Sequence, residues 1–416
     1  MDIREFISRL RVESGPNGSG EYMCRCPAHD DKTASLCVRD GDKGIVLKCQ
    51  AGCDTEAVLG AVLAAGARPA AAGEFTARAV MNGKMTLSAA ESLGVLLDAG
   101  THGQLALARG GMEGKLAEAA RDIYARLSFI LSDIYARVDF PDEDLAGMSP
   151  DALRGALLDV KRETERLAAT WQVGRAVNEG IETVICGPVN AGKSTLYNAL
   201  VGYDAAIVTD VAGTTRDIIS ETVSLGKVTL RLSDTAGLRE TADAVERIGV
   251  ARADAAIDRA ELILAVLDGS KAQDEQTRVL FERLRRVKGR VVIVLSKQDL
   301  SCNFPRSLLS DFDHVVSISA KTGEISALRR TVEALFDAEE IDLWNDAVVA
   351  NARQYAALSR AAKALDAAVA ALDAGVPLDA ASVEAELAMA AIGEVDGRAV
   401  SEDIVADIFS HFCVGK

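Results

Sequence analysis

The spacing of apolar residues changes character along this chain. From 74 to 178 they recur at helical spacing with Ala and Leu faces, interrupted at "DFPDEDLAGMSPD". From 180 to 338 the pattern becomes short apolar runs separated by helical stretches: "ETVICG", "VTLRLSDTAG", "LILAVLDGS", "RVVIVLSKQDL" and "HVVSISAKTG". Buried runs of this kind, spaced by helices, predict a mainly parallel sheet covered on both faces. From 345 the helical period returns. Near the end, "VSEDIVADIFSHF" sets Val400, Ile404, Val405, Ile408, Phe409 and Phe412 at helical spacing, just before "CVGK". That helix is expected to dock on the helical domain and hold Cys413 in place. Residues 1–66 differ from all of this: they are turn-rich and Cys-rich, and "AAGARPAAAG" (64–73) shifts to small residues.

These segments predict a small β module at 1–66, a linker at 67–73 and the first half of a helical domain at 74–178. An α/β domain follows at 179–340, and the second helical half at 341–416. Helices, then α/β, then helices suggest an insertion, with the two helical halves meeting in space.

Composition narrows the class. Hydrophobic residues are 49% and charged residues 26%, ordinary for a globular protein. Aromatics are only 4%, so cores rich in Ala and Leu are expected. The net charge of −16 repels nucleic acid over most of the surface, so any such contact is local or arranged by a partner. No apolar run approaches the ~20 residues of a membrane span, and no basic-then-apolar leader opens the chain. The expected setting is cytoplasmic and reducing, where clustered cysteines more often hold metal than form disulfides.

"ETVICGPVNAGKSTLYNAL" reads as strand, Gly-rich loop, helix. Gly187 and Gly192 frame a G-x-x-x-x-G-K-S loop whose backbone N–H groups can wrap phosphates, with Ala191 and Thr195 flanking its key residues. Lys193 reaches the outer phosphates and the Ser194 hydroxyl binds Mg²⁺. A Gly-rich turn without ligand is the bland alternative; the strand before and helix after argue against it. "AGTTRD" supplies Thr214 and Thr215, hydroxyls suited to a loop that closes on Mg²⁺. In "DTAG", Asp234 can hold Mg²⁺ through water, Thr235 and Ala236 follow, and the Gly237 N–H can meet the γ-phosphate. "SKQD" adds Ser296, Lys297 and Asp299; the Asp299 carboxylate can accept from the N1 and N2 donors of guanine, which adenine lacks. "SAK" adds Ser319, Ala320 and Lys321, able to touch the base from the backbone. Five such elements in this order describe a GTPase rather than a generic ATPase.

Two positions depart from the usual pattern. Ser296 stands where Asn is usual, and its shorter side chain is expected to lose a brace to the phosphate loop. The expected cost is about 1 kcal/mol of nucleotide binding. Leu238 follows "DTAG" where Ras-like enzymes carry a water-orienting Gln. Another residue must therefore position water, or the protein is a slow switch.

From about residue 73 to the end the sequence resembles the MnmE/TrmE family of tRNA modification GTPases. "GEFTARAVMNGKMTL", "GPVNAGKSTLYNAL", "AIVTDVAGTTRD", "DTAGLRETADAVERIGV" and "FCVGK" carry the resemblance. It implies K⁺-stimulated GTP hydrolysis, with Asn190, Thr209, Val211 and Thr214 matching the K⁺ ligands. Asn190 and Thr209 thereby join the nucleotide site. Glu246 matches the water-orienting glutamate, a role that Leu238 leaves vacant. The resemblance also implies tRNA as substrate and a flavin-dependent partner protein. Together they install an aminomethyl or carboxymethylaminomethyl group at C5 of the wobble uridine from a folate one-carbon unit. Cys413 matches the family's functional C-terminal cysteine, alongside Lys193 and Glu246 as catalytic. Lys84 and Lys416 match lysines of a 5-formyltetrahydrofolate pocket. The family's N-terminal folate-binding and dimerisation domain has no recognisable counterpart, nor do its other folate contacts, an Arg and a Glu. A homodimer through the GTPase domain is left open; a membrane is not implied.

In that domain's place stands "CRCPAHDDKTASLCVRDGDKGIVLKCQAGCD". Cys26, His29, Cys49 and Cys53 suit tetrahedral Zn²⁺, which can hold together a segment without a large core. Cys24 and Cys37 are left as core or near-site cysteines. The stretch resembles the zinc ribbon of DnaG-type and mobile-element primases, which contacts single-stranded DNA; a structural knuckle without that role is the other reading. Residues 1–66 have no strongly basic patch.

The expected fold is therefore an α/β P-loop GTPase domain inserted in an α-helical domain, preceded by a small zinc-ribbon-like β segment. The expected activity is GTP hydrolysis in wobble-uridine modification, using GTP, Mg²⁺ and K⁺, with Zn²⁺ at the N-terminal site. The competing reading is a zinc-ribbon nucleic-acid-binding module fused to a GTPase switch that no longer modifies tRNA.

Overall fold

The computed structural model describes residues 7, 10–41, 44–64, 68, 70–140, 147–203, 221–232, 256–272, 274–287, 289–300, 303–398 and 408–409. The chain divides into two compact units, Met1–Asn82 with Asp403–Lys416, and Gly83–Glu402.

The first unit is built on a four-stranded antiparallel meander, β1 (Val12–Ser14), β2 (Tyr22–Cys24), β3 (Leu36–Gly41) and β4 (Gly44–Cys49), in that order. Helix α1 (Thr55–Ala64) follows, its first turn capped by the Asp54 carboxylate, which accepts from the Ala57 N–H at 2.7 Å. Cys24, Leu36, Val38 and Val58 form a small core together with Cys26 and Cys49. Helix α2 (Glu74–Met81) begins at Glu74, whose carboxylate takes a bidentate pair of bonds from Arg68 and accepts from the Ala71 N–H.

The second unit opens with α3 (Leu87–Asp98), α4 (His102–Met112), α5 (Lys115–Asp139), α6 (Pro150–Ala169) and α7 (Trp171–Asn178). Local signals set their starts. Thr86 caps α3, Thr101 and Gln104 form a reciprocal capping box on α4, and Ser149 followed by Pro150 opens α6.

The sheet is six-stranded. It comprises β5 (Ile181–Cys186), β6 (Glu221–Leu225), β7 (Val228–Leu232), β8 (Leu262–Asp268), β9 (Arg290–Ser296) and β10 (His314–Ser317). The spatial order is β10-β9-β8-β5-β7-β6, all parallel except β6, which lies antiparallel on the edge against β7. The continuous apolar runs are explained by burial on both faces. In β8, Leu262, Leu264 and Val266 enter one core, with α8 (Lys193–Tyr203) and α10 (Ser326–Leu335). Ile263, Ala265 and Leu267 enter the other, with Phe281 and Leu284 of α9 (Glu275–Leu284).

Helices α11 (Ala352–Asp373) and α12 (Leu378–Asp396) complete the unit. Leu116, Ile123, Leu127, Leu157 and Val160 from before the sheet share one core with Leu358, Leu365, Ala388 and Ile392 from after it. Where the chain enters and leaves the sheet, the two passages are bonded together. Asn178 Nδ2 donates to the Ala350 carbonyl at 3.1 Å, and the Val349 N–H donates to Thr170 Oγ1 at 3.0 Å. The turn between β6 and β7 is also fixed: Lys227 Nζ lies 2.8 Å from each of the carbonyl oxygens of Ala338, Glu339 and Ile341. Among the described residues no helix is long and apolar enough to cross a membrane.

Candidate functional site

The phosphate loop joins the C-terminal end of β5 to the start of α8. Gly187 has φ 148°, and a Cβ built there would lie 2.1 Å from the Val266 carbonyl oxygen, so only glycine lets the loop pass β8 this closely. Asn190 adopts φ 61°, a left-handed conformation that Asn tolerates better than most residues, and Gly192 has φ 102°. Lys193 Nζ donates to the carbonyls of Gly187 at 2.9 Å and Pro188 at 2.8 Å, which keeps its ammonium within the curve of the loop. Burial pushes its pKa below the ordinary lysine value and lifts the adjacent Cys186 thiol to about 12. Ser194 and Thr195 stand exposed in the first turn of α8.

Beside the loop lie the ends of β8 and β9. The Ser296 hydroxyl is 2.5 Å from the Ala191 carbonyl oxygen of the phosphate loop and 3.0 Å from the Leu267 carbonyl oxygen. The expected loss of the brace is therefore corrected. The strand end brings Ser296 close enough for its short side chain to span the gap, and a Cβ on Gly192 would sit 3.2 Å from its Oγ. Lys297, at φ 61°, adds a second tie, donating to the Asn190 carbonyl at 2.9 Å and to Asp268 Oδ2 at 2.6 Å. Burial pulls the Asp268 carboxyl upward, but the Lys297 ammonium and the Ser270 hydroxyl outweigh it and hold it below the usual range. Asp268 is a site residue that the sequence reading missed; its only signal was its place at the end of the apolar run "LILAVLDGS".

The two loops expected on the base side adjoin each other. The Gln298 N–H donates to the Ile318 carbonyl at 3.3 Å, and Ser319 Oγ donates to Asp299 Oδ1 at 3.2 Å. Ala320 is half-buried and Lys321 exposed. The structure thus brings together Gly187, Asn190, Ala191, Gly192, Lys193, Ser296 and Lys297, with Asp299 and Ser319 paired on the base side. Thr209, Val211, Thr214, Thr215, Asp234, Thr235, Ala236, Gly237, Leu238, Glu246, Cys413 and Lys416 lie outside the described residues. Lys84 is described and exposed, two residues before the cap of α3.

In the first unit, one ligand atom from each of Cys26, His29, Cys49 and Cys53 comes together, all within 4.8 Å of one another. Cys26 follows β2, Cys49 ends β4, and Cys53 precedes α1, so the sheet brings distant parts of the sequence to one point. His29 Nδ1 is 3.2 Å from Cys53 Sγ. Burial disfavours the Cys49 thiolate, but the Ser35 hydroxyl and the N–H groups of Cys53 and Ala51 bring the thiol down to about 6. Burial and the neighbouring thiols raise Cys53 to about 11. Cys24 is fully buried in the core and stands apart from the cluster, as does Cys37. Three sulfurs and an imidazole at this spacing fit a tetrahedral soft-metal site.

A largely parallel sheet with a Gly-rich loop at the end of β5, an Mg²⁺-type Ser after its Lys and a guanine-type Asp just beyond β9 defines a P-loop GTPase. Similarity to known proteins takes this further. A family model described as the MnmE helical domain matches residues 87–413. The chain is 34% identical over 368 residues to the tRNA modification GTPase MnmE of Lactobacillus gasseri, covering 87% of this chain and 79% of that one. It is 36% identical over 378 residues to the protein of the same name from Bacillus subtilis, covering 89% and 82%. Among solved structures, the G domain of the T. maritima FeoB iron transporter covers 38% of this chain and 98% of that one, at 23% identity and a TM-score of 0.28. The chain belongs to the MnmE family of tRNA modification GTPases and is a GTP-hydrolysing enzyme.

Proposed function

We propose that this chain uses GTP hydrolysis, stimulated by K⁺, to support modification of the tRNA wobble uridine with a flavin-dependent partner. The observation that carries the reading is the pre-shaped phosphate loop, Gly187 to Ser194, within a chain about a third identical to tRNA modification GTPases. Lys193 is held to meet the outer phosphates, and Ser194, with Thr215 and Asp234, would hold Mg²⁺. Exposed Asn190, at the crest of the loop, fits a cation ligand beside Thr209, Val211 and Thr214. K⁺, when bound there, supplies positive charge against the transferring phosphate. Glu246 orients water in this reading, and Cys413 serves the modification step.

The N-terminal unit is proposed as a Zn²⁺ module, supported by the Cys26, His29, Cys49 and Cys53 cluster. The same cluster favours a second reading, in which a nucleic-acid-binding module is attached to a GTPase that does not modify tRNA. Complementation of a strain lacking the family enzyme, scored by mass spectrometry of tRNA nucleosides, separates the two. Restored wobble modification supports the first. Normal GTP hydrolysis without restoration overturns it in favour of the second. Folate would meet Lys84 and Lys416 only in the first.

A further inference from the structure

Around the Cys/His cluster one carboxylate is tied to three of the four ligands. Asp31 Oδ2 accepts from the Cys26 N–H at 2.7 Å, from the Ser35 N–H at 3.1 Å and from the Ser35 hydroxyl at 2.7 Å. Its other oxygen, Oδ1, faces His29 Nε2 at 3.5 Å. Ser35 Oγ in turn lies 3.6 Å from Cys49 Sγ and 3.5 Å from His29 Nε2. Asp31 is itself mostly buried, with 6% of its side chain exposed. Its reach thus includes the backbone of Cys26, the outer nitrogen of His29 and, through Ser35, the sulfur of Cys49. Only Cys53 lies beyond it.

From these contacts, and resting on the proposed metal module, we infer that Asp31 is the positioning residue of the site: it fixes His29 with the proton on Nε2 and leaves Nδ1 to bind a soft divalent metal such as Zn²⁺. The tautomer argument is geometric. Nδ1 is the nitrogen turned toward Cys53 Sγ, and Nε2 is the one turned toward the carboxylate. An imidazole can offer a lone pair to the metal on one nitrogen only if the other carries the proton, and a proton on Nε2 would face two acceptors at 3.5 Å, Asp31 Oδ1 and the Ser35 hydroxyl oxygen that Asp31 holds. Ser35 adds a constraint of its own. Its hydroxyl lies nearest Asp31 Oδ2, at 2.7 Å, against 3.5 Å to His29 Nε2 and 3.6 Å to Cys49 Sγ.

Replacement by Asn discriminates this role from simple loop bracing. The Cys26 and Ser35 N–H groups need an acceptor, and the His29 Nε2–H needs another. An amide has one oxygen and one NH₂, so either orientation sets donor against donor on one side. If Asp31 only braced the loop, Asn with its oxygen toward Cys26 and Ser35 would serve. If it sets the tautomer, Asn fails as Ala does.

The experiment uses the full chain. Co²⁺ uptake is followed by the absorption of tetrahedral thiolate coordination, and Zn²⁺ affinity by competition with a chromogenic chelator. The chain contains four histidines, so ¹⁵N-histidine labelling reads the His29 tautomer directly. The wild type should take one metal per chain with His29 protonated on Nε2. Asp31→Asn and Asp31→Ala should both bind ~10- to 100-fold more weakly, and Ser35→Ala should fall between them and wild type. Circular dichroism of the metal-loaded variants verifies that they fold. Wild-type uptake together with an Asp31→Asn variant of unchanged affinity and tautomer would overturn the inference alone. Absence of metal uptake by the wild type would overturn the metal module, and the inference with it.

Discussion

The hydroxyl of Ser296 and the carbonyl of Ala191 are 2.5 Å apart, although they stand more than a hundred residues apart in sequence. This contact ties the loop proposed to select the base to the loop proposed to cradle the phosphates. Nearby, Lys297 ties the same two loops through the Asn190 carbonyl. A lost hydrogen bond of this kind costs about 1 kcal/mol. Ser296→Ala should therefore weaken GTP binding roughly 5- to 10-fold and leave the maximal turnover close to wild type. Fluorescent-nucleotide titration alongside steady-state hydrolysis checks this. A fall in turnover with unchanged affinity would mean that the hydroxyl does not act by positioning the loop.

Cation dependence is the second test. Hydrolysis should run faster in K⁺ than in Na⁺ at equal ionic strength, because Na⁺ is too small for the proposed ligands. Glu246→Ala should slow hydrolysis by at least ~100-fold, within the range for groups that orient or deprotonate water. Equal rates in the two salts would remove K⁺ from the mechanism.

Cys413 should separate the two proposed activities. Cys413→Ser should retain K⁺-stimulated GTP hydrolysis and abolish wobble-uridine modification in the complementation assay. If the variant modifies tRNA as well as wild type does, the thiol has no role in that step.

Helix packing gives a fourth expectation, with its own control. A Cβ on Gly174 of α7 would lie 1.8 Å from the Val349 carbonyl oxygen, and that atom belongs to a backbone that cannot swing aside. Gly174→Ala should destabilise the chain by about 1–3 kcal/mol. Gly155 sits inside α6 with nothing within 4 Å of a built Cβ. Gly155→Ala should stabilise by about 0.5–1 kcal/mol, the usual helix-interior difference. Denaturant unfolding of both variants measures the two signs.

Much of this architecture was legible because its signals are local. The phosphate loop is read from glycines flanked by an apolar run and a helical stretch. Cys26, His29, Cys49 and Cys53 are read from residue type and spacing. The paired helical halves are read from a period that stops at the sheet and resumes after it. What sequence did not disclose depends on where strand ends fall. The Ser296 brace exists because β9 stops beside the phosphate loop, which no property of a serine announces. Asp268 joins the site because β8 ends next to β9. Asp31 and Ser35 lie in "HDDKTAS", an ordinary polar turn until β2 and β4 bring Cys26 and Cys49 to it. Lys227 lies in the short turn between β6 and β7, and nothing in that turn's sequence announces the three carbonyl oxygens that meet its ammonium.

The bonds from Asn178 to Ala350 and from Val349 to Thr170 have a consequence for engineering. The polypeptide departs for the nucleotide-binding sheet and comes home at almost the same spot. The segment between behaves topologically as a cassette on a short stem. Joining the stem with a few flexible residues would leave α5, α6, α11 and α12 with their shared apolar core, since its fully buried members all lie before Thr170 or after Val348. Nature's insertion point is therefore also a site at which another compact domain with neighbouring termini could be grafted.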